Sequence, residues 1–292
     1  MKRVSFLILA SMRPKQWIKN ILVFVALIFS KNVFNIEMLA ATAGAFIVFC
    51  FVSSSIYILN DLFDIEKDRK HPVKRQRPLA SGELSPLLAK VIALTVLGGS
   101  LIASFLINLT FSITVIGYVV LQICYFKFAK EIVILDVFFI ASGFFLRVIA
   151  GAKAIEVPIS SWLLICTIFV SLFLGFGKRR HEILLLGADA ANHRKALAEY
   201  NLTLLDQMVS IVTAGTVISY SLYTLSPETV AKFHTEKLWL TIPIVLYGVF
   251  RYLYIIYKSG KGGHPELVFF QDRHILASIL LYILVVSLII YL

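Results

Sequence analysis

Apolar runs of membrane-crossing length recur along almost the whole chain, and they decide most of what it can fold into. Windows of spanning or near-spanning length lie at 20–36, 39–59, 87–107, 109–126, 132–152, 161–177, 207–226, 237–257 and 274–292. An α-helix rises about 1.5 Å per residue, so about 20 apolar residues cross the hydrocarbon core of a bilayer. Nine transmembrane helices are expected, the first of them short and the third and fourth parted only by Asn108. The two-residue alternation of a membrane barrel is absent. Hydrophobic residues make up 59% of the chain and charged residues 15%, so the expected fold is an all-α polytopic membrane bundle, one transmembrane domain over residues 1–292.

Lys and Arg set the orientation. With a cytoplasmic N-terminus, 21 of the 28 fall in cytoplasmic segments, only Lys31, Lys153, Lys232 and Lys237 lie on the far side, and Lys90, Arg147 and Arg251 sit within helices. The net charge of +11 is largely this signal. No basic soluble domain with interleaved aromatics occurs, so nucleic acid is not an expected partner. Cys50, Cys124 and Cys166 fall inside predicted helices without pairing or ligand spacing, and they read as small apolar core residues. The stretch Val4 to Met12 is too short for a cleaved signal, so the first helix is expected to serve as insertion signal.

Chemistry concentrates where the second apolar run ends. Asn60, Asp61, Asp64 and Asp68 recur at three- and four-residue spacing, which puts all four on one broad helical face with successive turns about 5.4 Å apart. Hard oxygen ligands so arranged suit Mg²⁺, which takes one or two carboxylates and completes its shell with water and phosphate oxygens. Without a cation the stacked carboxylates repel each other. The helix should stop near His71, because the residue before Pro72 is biased away from helical geometry. A basic run follows at once, with Arg69, Lys70, Lys74, Arg75 and Arg77.

Further cations are Lys19, Lys130, Lys178, Arg179 and Arg180, arginine being suited to bidentate phosphate contacts. Lys178 and Glu182, four apart, can brace each other. Asp136 and Arg147, eleven apart in one expected span, face the same direction; Asp136 is expected to orient a basic group such as Lys130 or a ribose hydroxyl, and Arg147 is open to a structural or a binding role. Arg251, nearer a cytoplasmic end, is expected to snorkel. Tyr200 joins the candidates in the loop after the sixth helix. The last cytoplasmic loop, with Gly260, Gly262, Gly263, His264, Pro265, Glu266, Asp272 and Arg273, reads as a flexible turn or a segment closing over a ligand.

The acid motif at the end of a second membrane helix resembles the first aspartate-rich motif of the UbiA superfamily of intramembrane prenyltransferases. Arg13-Pro14-Lys15-Gln16-Trp17-Ile18-Lys19-Asn20, the run Asp68 to Pro78, and Gly177-Lys178-Arg179-Arg180-His181-Glu182 together resemble its decaprenyl-phosphate (polyprenyl-phosphate) phosphoribosyltransferase branch. A second aspartate-rich motif is usual after the sixth helix of such prenyltransferases. Here that place is basic, which suggests direct contact with phosphate. The resemblance implies transfer of a 5-phosphoribosyl group from phosphoribosyl diphosphate to a polyprenyl phosphate. It also implies a UbiA-like bundle with a cytoplasmic-side active site, in a bacterial cytoplasmic membrane, and a product that feeds an arabinose donor for cell-envelope glycans.

The candidate catalytic residues are Asp61, Asp64, Asp68 and Lys19, with Asn60 completing the metal set. Substrate-binding candidates are Lys19, Asn60, Arg69, Lys74, Arg75, Arg77, Lys130, Asp136, Arg147, Lys178, Arg179, Arg180, Glu182 and Tyr200. Magnesium would neutralise the departing diphosphate, and the lipid phosphate, already an anion, would attack C1 of the ribose without a general base. The isoprenoid tail is expected in a groove lined by Trp17, Phe24 and the phenylalanines of the fifth helix. The alternative enzyme is an aromatic, 4-hydroxybenzoate-type prenyltransferase using a polyprenyl diphosphate. A transporter reading needs matching broken helices in the two halves, which the sequence lacks. The number of metal ions and the oligomeric state stay open, a homo-oligomer included.

Overall fold

The computed structural model describes residues 2–186, 195–259, 268 and 271–291. The expected flexible segment at Gly260, Gly262, Gly263, His264, Pro265 and Glu266 lies outside the described residues. Every described element is helical. The first part of the chain contains α1 (Lys2–Met12), a 3₁₀ helix (Pro14–Phe24), α2 (Val25–Phe29), α3 (Ile36–Phe63), α4 (Ile65–Lys70), α5 (Pro86–Phe105) and α6 (Leu109–Lys127). There follow α7 (Leu135–Ala154), α8 (Ser161–Leu186), α9 (Lys195–Glu199), α10 (Leu202–Leu225), α11 (Pro227–Phe233), α12 (Ile242–Tyr254) and α13 (Arg273–Tyr291), with a π-helical turn at Ile255–Ser259.

Eight helices among the described residues are long and apolar enough to cross a membrane, where nine were expected. The difference is the first window, 20–36. It is not one α-helix but the 11-residue 3₁₀ helix followed by the 5-residue α2. A 3₁₀ helix rises about 2.0 Å per residue, so Pro14 to Phe29 measures about 30 Å, the thickness of a bilayer core, despite its few residues.

The chain divides into two compact units, Met1–Ile132 with Ser142–Pro158, and Val133–Ala141 with Ile159–Leu292. In the first, Phe49 meets Phe111 and Tyr118 edge-on at 6.1 and 5.3 Å between ring centroids, at the centre of a core that includes Val23, Val52, Val115 and Ala150. A smaller cluster of Leu7, Ile58, Leu79, Leu84, Ala89 and Ala93 joins α1 and the segment after α4 to α3 and α5. The second unit is built on Val137, Phe173, Phe176, Leu205, Val209, Tyr252, Ile256 and Ile275. Lipid is as apolar as leucine, so helices in it associate through close approach of small residues and polar contacts. Gly151 illustrates this, since a Cβ there would lie 1.9 Å from the Val23 carbonyl oxygen.

Asparagine caps mark several boundaries. Asn35, Asn108 and Asn201 each accept from the backbone amide three residues on, at 3.1, 2.7 and 2.8 Å. Asn108, fully extended, parts α5 from α6, and its amide also donates to the carbonyls of Lys153 and Ala154 at the end of α7. At the other membrane face α3 passes into α4 through Asp64, and α4 ends at His71 in extended geometry, as the proline after it dictates.

Candidate functional site

In the first unit the acid segment is built from the last turns of α3 and from α4. Asp61 and Asp68 are 3% and 4% exposed, so their charges are held away from water and require partners. Both find one in Arg77. A single nitrogen, Nη1, lies 2.9 Å from Asp61 Oδ1 and 2.5 Å from Asp68 Oδ2. Arg13 adds a second guanidinium on Asp61 and stacks over the Tyr57 ring at 5.2 Å. Asp64 is turned to Lys130, whose Nζ is 2.5 Å from Oδ1. Three carboxylates on one stretch of chain are thus matched by three cations drawn from three others.

Arg13 was not among the sequence candidates, although it opens one of the segments that carry the resemblance. The signal was local. The residue before a proline is disfavoured in the helical region, and Arg13 takes the left-handed one, φ 54° and ψ 61°. The 3₁₀ helix that starts at Pro14 then aligns every third residue. Trp17 and Asn20 share one line facing α3. Trp17 Nε1 donates to Ser54 Oγ at 2.9 Å, and that hydroxyl donates to the Met12 carbonyl at 2.9 Å, next to Arg13. Asn20 Nδ2 donates to Ser53 Oγ at 3.2 Å, while its Oδ1 accepts from Arg147 Nε at 2.8 Å.

Arg147 is 4% exposed and gives its remaining bonds to the Gly143 carbonyl at 2.9 Å and the Tyr118 hydroxyl at 2.7 Å. Of the two roles left open for it, these contacts favour the structural one. Lys19 lies half-buried on the 3₁₀ helix beside Asn20. Arg69 pairs with Glu66 at 2.8 Å on the surface, Lys74 is half-exposed and Arg75 is exposed. Asn60 lies half-buried one residue before Asp61.

The second unit holds its own charged cluster. Asp136, fully buried, accepts from Arg179 Nε at 2.5 Å and from the Tyr200 hydroxyl at 2.9 Å, and Tyr200 accepts in turn from the Ile134 amide at 2.7 Å. Burial and the adjacent Asp136 carboxylate raise the Tyr200 phenol well above its ordinary pKa, so it stays a donor. Asp136 thus orients Tyr200 and a basic group, Arg179 rather than the Lys130 named from the sequence, and Lys130 serves Asp64. Arg179, expected to meet phosphate directly, is 1% exposed with its charge balanced by Asp136 and by Glu182, three residues on. Arg180 donates to Asp206 at 2.7 Å and stacks on Tyr257 at 4.2 Å, and Lys178 is half-buried one turn before Glu182. Arg251 pairs with Asp272 at 2.8 Å, and that bond holds the Asp272 carboxyl down at about 2.

No three acidic, histidine or cysteine side chains among the described residues are drawn together as a metal-holding group. The donor chemistry nevertheless fits a hard divalent cation. Two buried carboxylates already share one positive centre, the Arg77 nitrogen, and a third carboxylate stands on the same segment.

Comparison with known proteins agrees with this architecture. The model of the UbiA prenyltransferase family matches residues 20–272. Among curated proteins, the chain is 33% identical to the decaprenyl-phosphate phosphoribosyltransferase of Mycolicibacterium smegmatis, over 91% of this chain and 86% of that protein. It is 36% identical to the protein of the same name from Corynebacterium glutamicum, over 90% of this chain and 80% of that one. Among solved structures, a UbiA homolog from Archaeoglobus fulgidus bound to DMAPP and Mg²⁺ superposes with a TM-score of 0.73 at 19% identity, over 98% of this chain and 99% of that one. The chain is a multi-pass membrane protein and belongs to the UbiA prenyltransferase family.

Proposed function

We propose that the protein transfers the 5-phosphoribosyl group of phosphoribosyl diphosphate to the phosphate of a polyprenyl lipid and releases diphosphate. Relatives that carry this activity in their names align with about nine-tenths of the chain. The observation that carries the reading at the level of chemistry is the bridge from Asp61 through Arg77 to Asp68. Carboxylates and phosphate-seeking cations are interleaved there, as a metal diphosphate requires.

When bound, magnesium would be held by Asp61, Asp68 and Asp64 with Asn60 beside them, and it supplies neutralisation of the diphosphate as it departs. The chain's own cations do the rest. Arg13, Arg77 and Lys130 stand within one side-chain length of the acids and grip phosphate oxygens. Lys19, Lys74 and Arg75, in the same unit, hold the 5-phosphate and guide the lipid phosphate. The acceptor is an anion at neutral pH, so the residues need to orient it rather than deprotonate it. In the second unit, Asp136, Glu182 and Tyr200 hold Arg179 in place. The cytoplasmic excess of Lys and Arg supports a cytoplasmic N-terminus in a bacterial inner membrane.

The test is a paired assay. Protein in lipid nanodiscs receives labelled phosphoribosyl diphosphate with polyprenyl phosphate, or polyprenyl diphosphate with 4-hydroxybenzoate. Label in a phosphoribosylated lipid is the expected result; a prenylated aromatic acid would overturn the reading.

A further inference from the structure

Arg77 occupies an unusual place for a residue that is to bind a substrate, because its guanidinium is already committed to two buried carboxylates. We propose that Arg77 is a built-in counter-cation which a divalent metal must displace from Asp61 and Asp68, and that the donor's diphosphate takes up the displaced guanidinium. Metal and diphosphate then bind together, and each binds poorly alone. The inference rests on the proposed donor site and adds a coupling to it.

Charge balance is the first argument. Asp61, Asp64 and Asp68 are matched one for one by Arg13, Arg77 and Lys130. A divalent cation arriving alone leaves two surplus positive charges beside the buried Asp61 and Asp68. Diphosphate arriving alone sets at least two negative charges beside carboxylates. Both arriving together restore near-neutrality, and only that combination escapes the cost of an uncompensated buried charge.

Geometry is the second. The two acids that share Arg77 are 3% and 4% exposed, so little water stands ready to replace the guanidinium when it leaves. The Arg77 side chain is 25% exposed, so one edge of the group already faces solvent, where a phosphate arrives. Its backbone is fixed, with the amide bonded to the Lys74 carbonyl at 3.0 Å and Leu79 and Ala80 buried just after it. Movement is therefore confined to the side chain. Arg13 has less freedom, since it is also stacked on Tyr57. Coupling of this kind is reciprocal, so diphosphate tightens metal binding by the same factor as metal tightens diphosphate binding.

The test reads Mn²⁺ binding by electron paramagnetic resonance on full-length protein in nanodiscs, with and without inorganic diphosphate, for the wild type, Arg77→Gln and Arg77→Lys. Association of Mn²⁺ with diphosphate in solution is common to all three proteins and cancels in the comparison. Arg77→Gln should bind Mn²⁺ alone at least about tenfold tighter than the wild type, and its further tightening by diphosphate should shrink by a similar factor. Arg77→Lys should fall between the two, because the lysine ammonium keeps the charge but its side chain ends shorter than the Nη1 that bridges both carboxylates. If Arg77→Gln does not fold, the smaller rise in Arg77→Lys carries the test. Unchanged or weaker Mn²⁺ binding in the folded variants overturns the role of Arg77. Absence of Mn²⁺ binding in all three proteins, diphosphate present, instead removes the site and the inference with it.

Discussion

Lys130 Nζ lies 2.5 Å from Asp64 Oδ1, across 66 residues of chain. The next residue, Glu131, takes Lys67 at 2.6 Å, so the turn after α6 is clasped to the acid segment by two ion pairs of opposite polarity. Asp64→Asn keeps the shape of the side chain and removes its charge. We expect turnover to fall by about 10²–10³-fold, the usual effect of deleting one preorganised electrostatic contact, with thermal unfolding shifted by only a few degrees. Labelled-lipid formation beside a melting curve checks this. Retention of more than about a tenth of the activity contradicts the role given to Asp64.

Gly151→Ala tests how the 3₁₀ helix is seated. The added methyl would meet the Val23 carbonyl oxygen at 1.9 Å, a backbone atom that cannot turn aside. The helix must shift, at a cost of about 1–3 kcal/mol, and Arg13 at its start shifts with it. Reduced stability together with a raised KM for phosphoribosyl diphosphate is expected. A silent variant would mean that the contact yields freely.

Arg147 holds Asn20, Tyr118 and the Gly143 carbonyl in one buried knot. Arg147→Met leaves those acceptors and hydroxyls without their donor, and we expect a loss of about 3–5 kcal/mol by equilibrium unfolding in mixed micelles. Arg147→Lys should recover part of it. A loss below about 1 kcal/mol would argue against a structural role.

Tyr200→Phe strips Asp136 of one donor and the Ile134 amide of its acceptor, for an expected cost of about 1–3 kcal/mol. The pH dependence has a defined sign. The folded phenol has its pKa raised, so the stabilising difference between wild type and variant is fully present below the ordinary phenol value of about 10. It should fade as pH rises above that value towards the higher folded pKa. A difference that fades below about pH 9 would contradict the assigned environment.

Much of this arrangement was legible in the sequence, because membrane helices announce themselves by length and apolarity and the proline at 72 marks where α4 must stop. Helical period alone put Asn60, Asp61, Asp64 and Asp68 on one broad face; of these, Asp61 and Asp68 meet on Arg77, while Asp64 turns to Lys130. What stayed hidden was partnership across the chain. Nothing local tells that Arg179 meets Asp136, 43 residues earlier, or that Arg147 meets Asn20, 127 residues earlier. The 3₁₀ winding of Pro14–Phe24 was equally invisible, since eleven residues are too few to separate a period of three from one of 3.6. Hence a ninth α-helix was expected where a tighter coil stands.

The most direct measurement is calorimetric titration of phosphoribosyl diphosphate into the protein in nanodiscs, with magnesium or with a chelator, for the wild type and for Asp61→Asn/Asp68→Asn. Saturable uptake that needs magnesium and disappears in the double variant, while that variant still unfolds cooperatively, is the predicted result. Undiminished uptake without divalent ions, or by the double variant, would contradict the account.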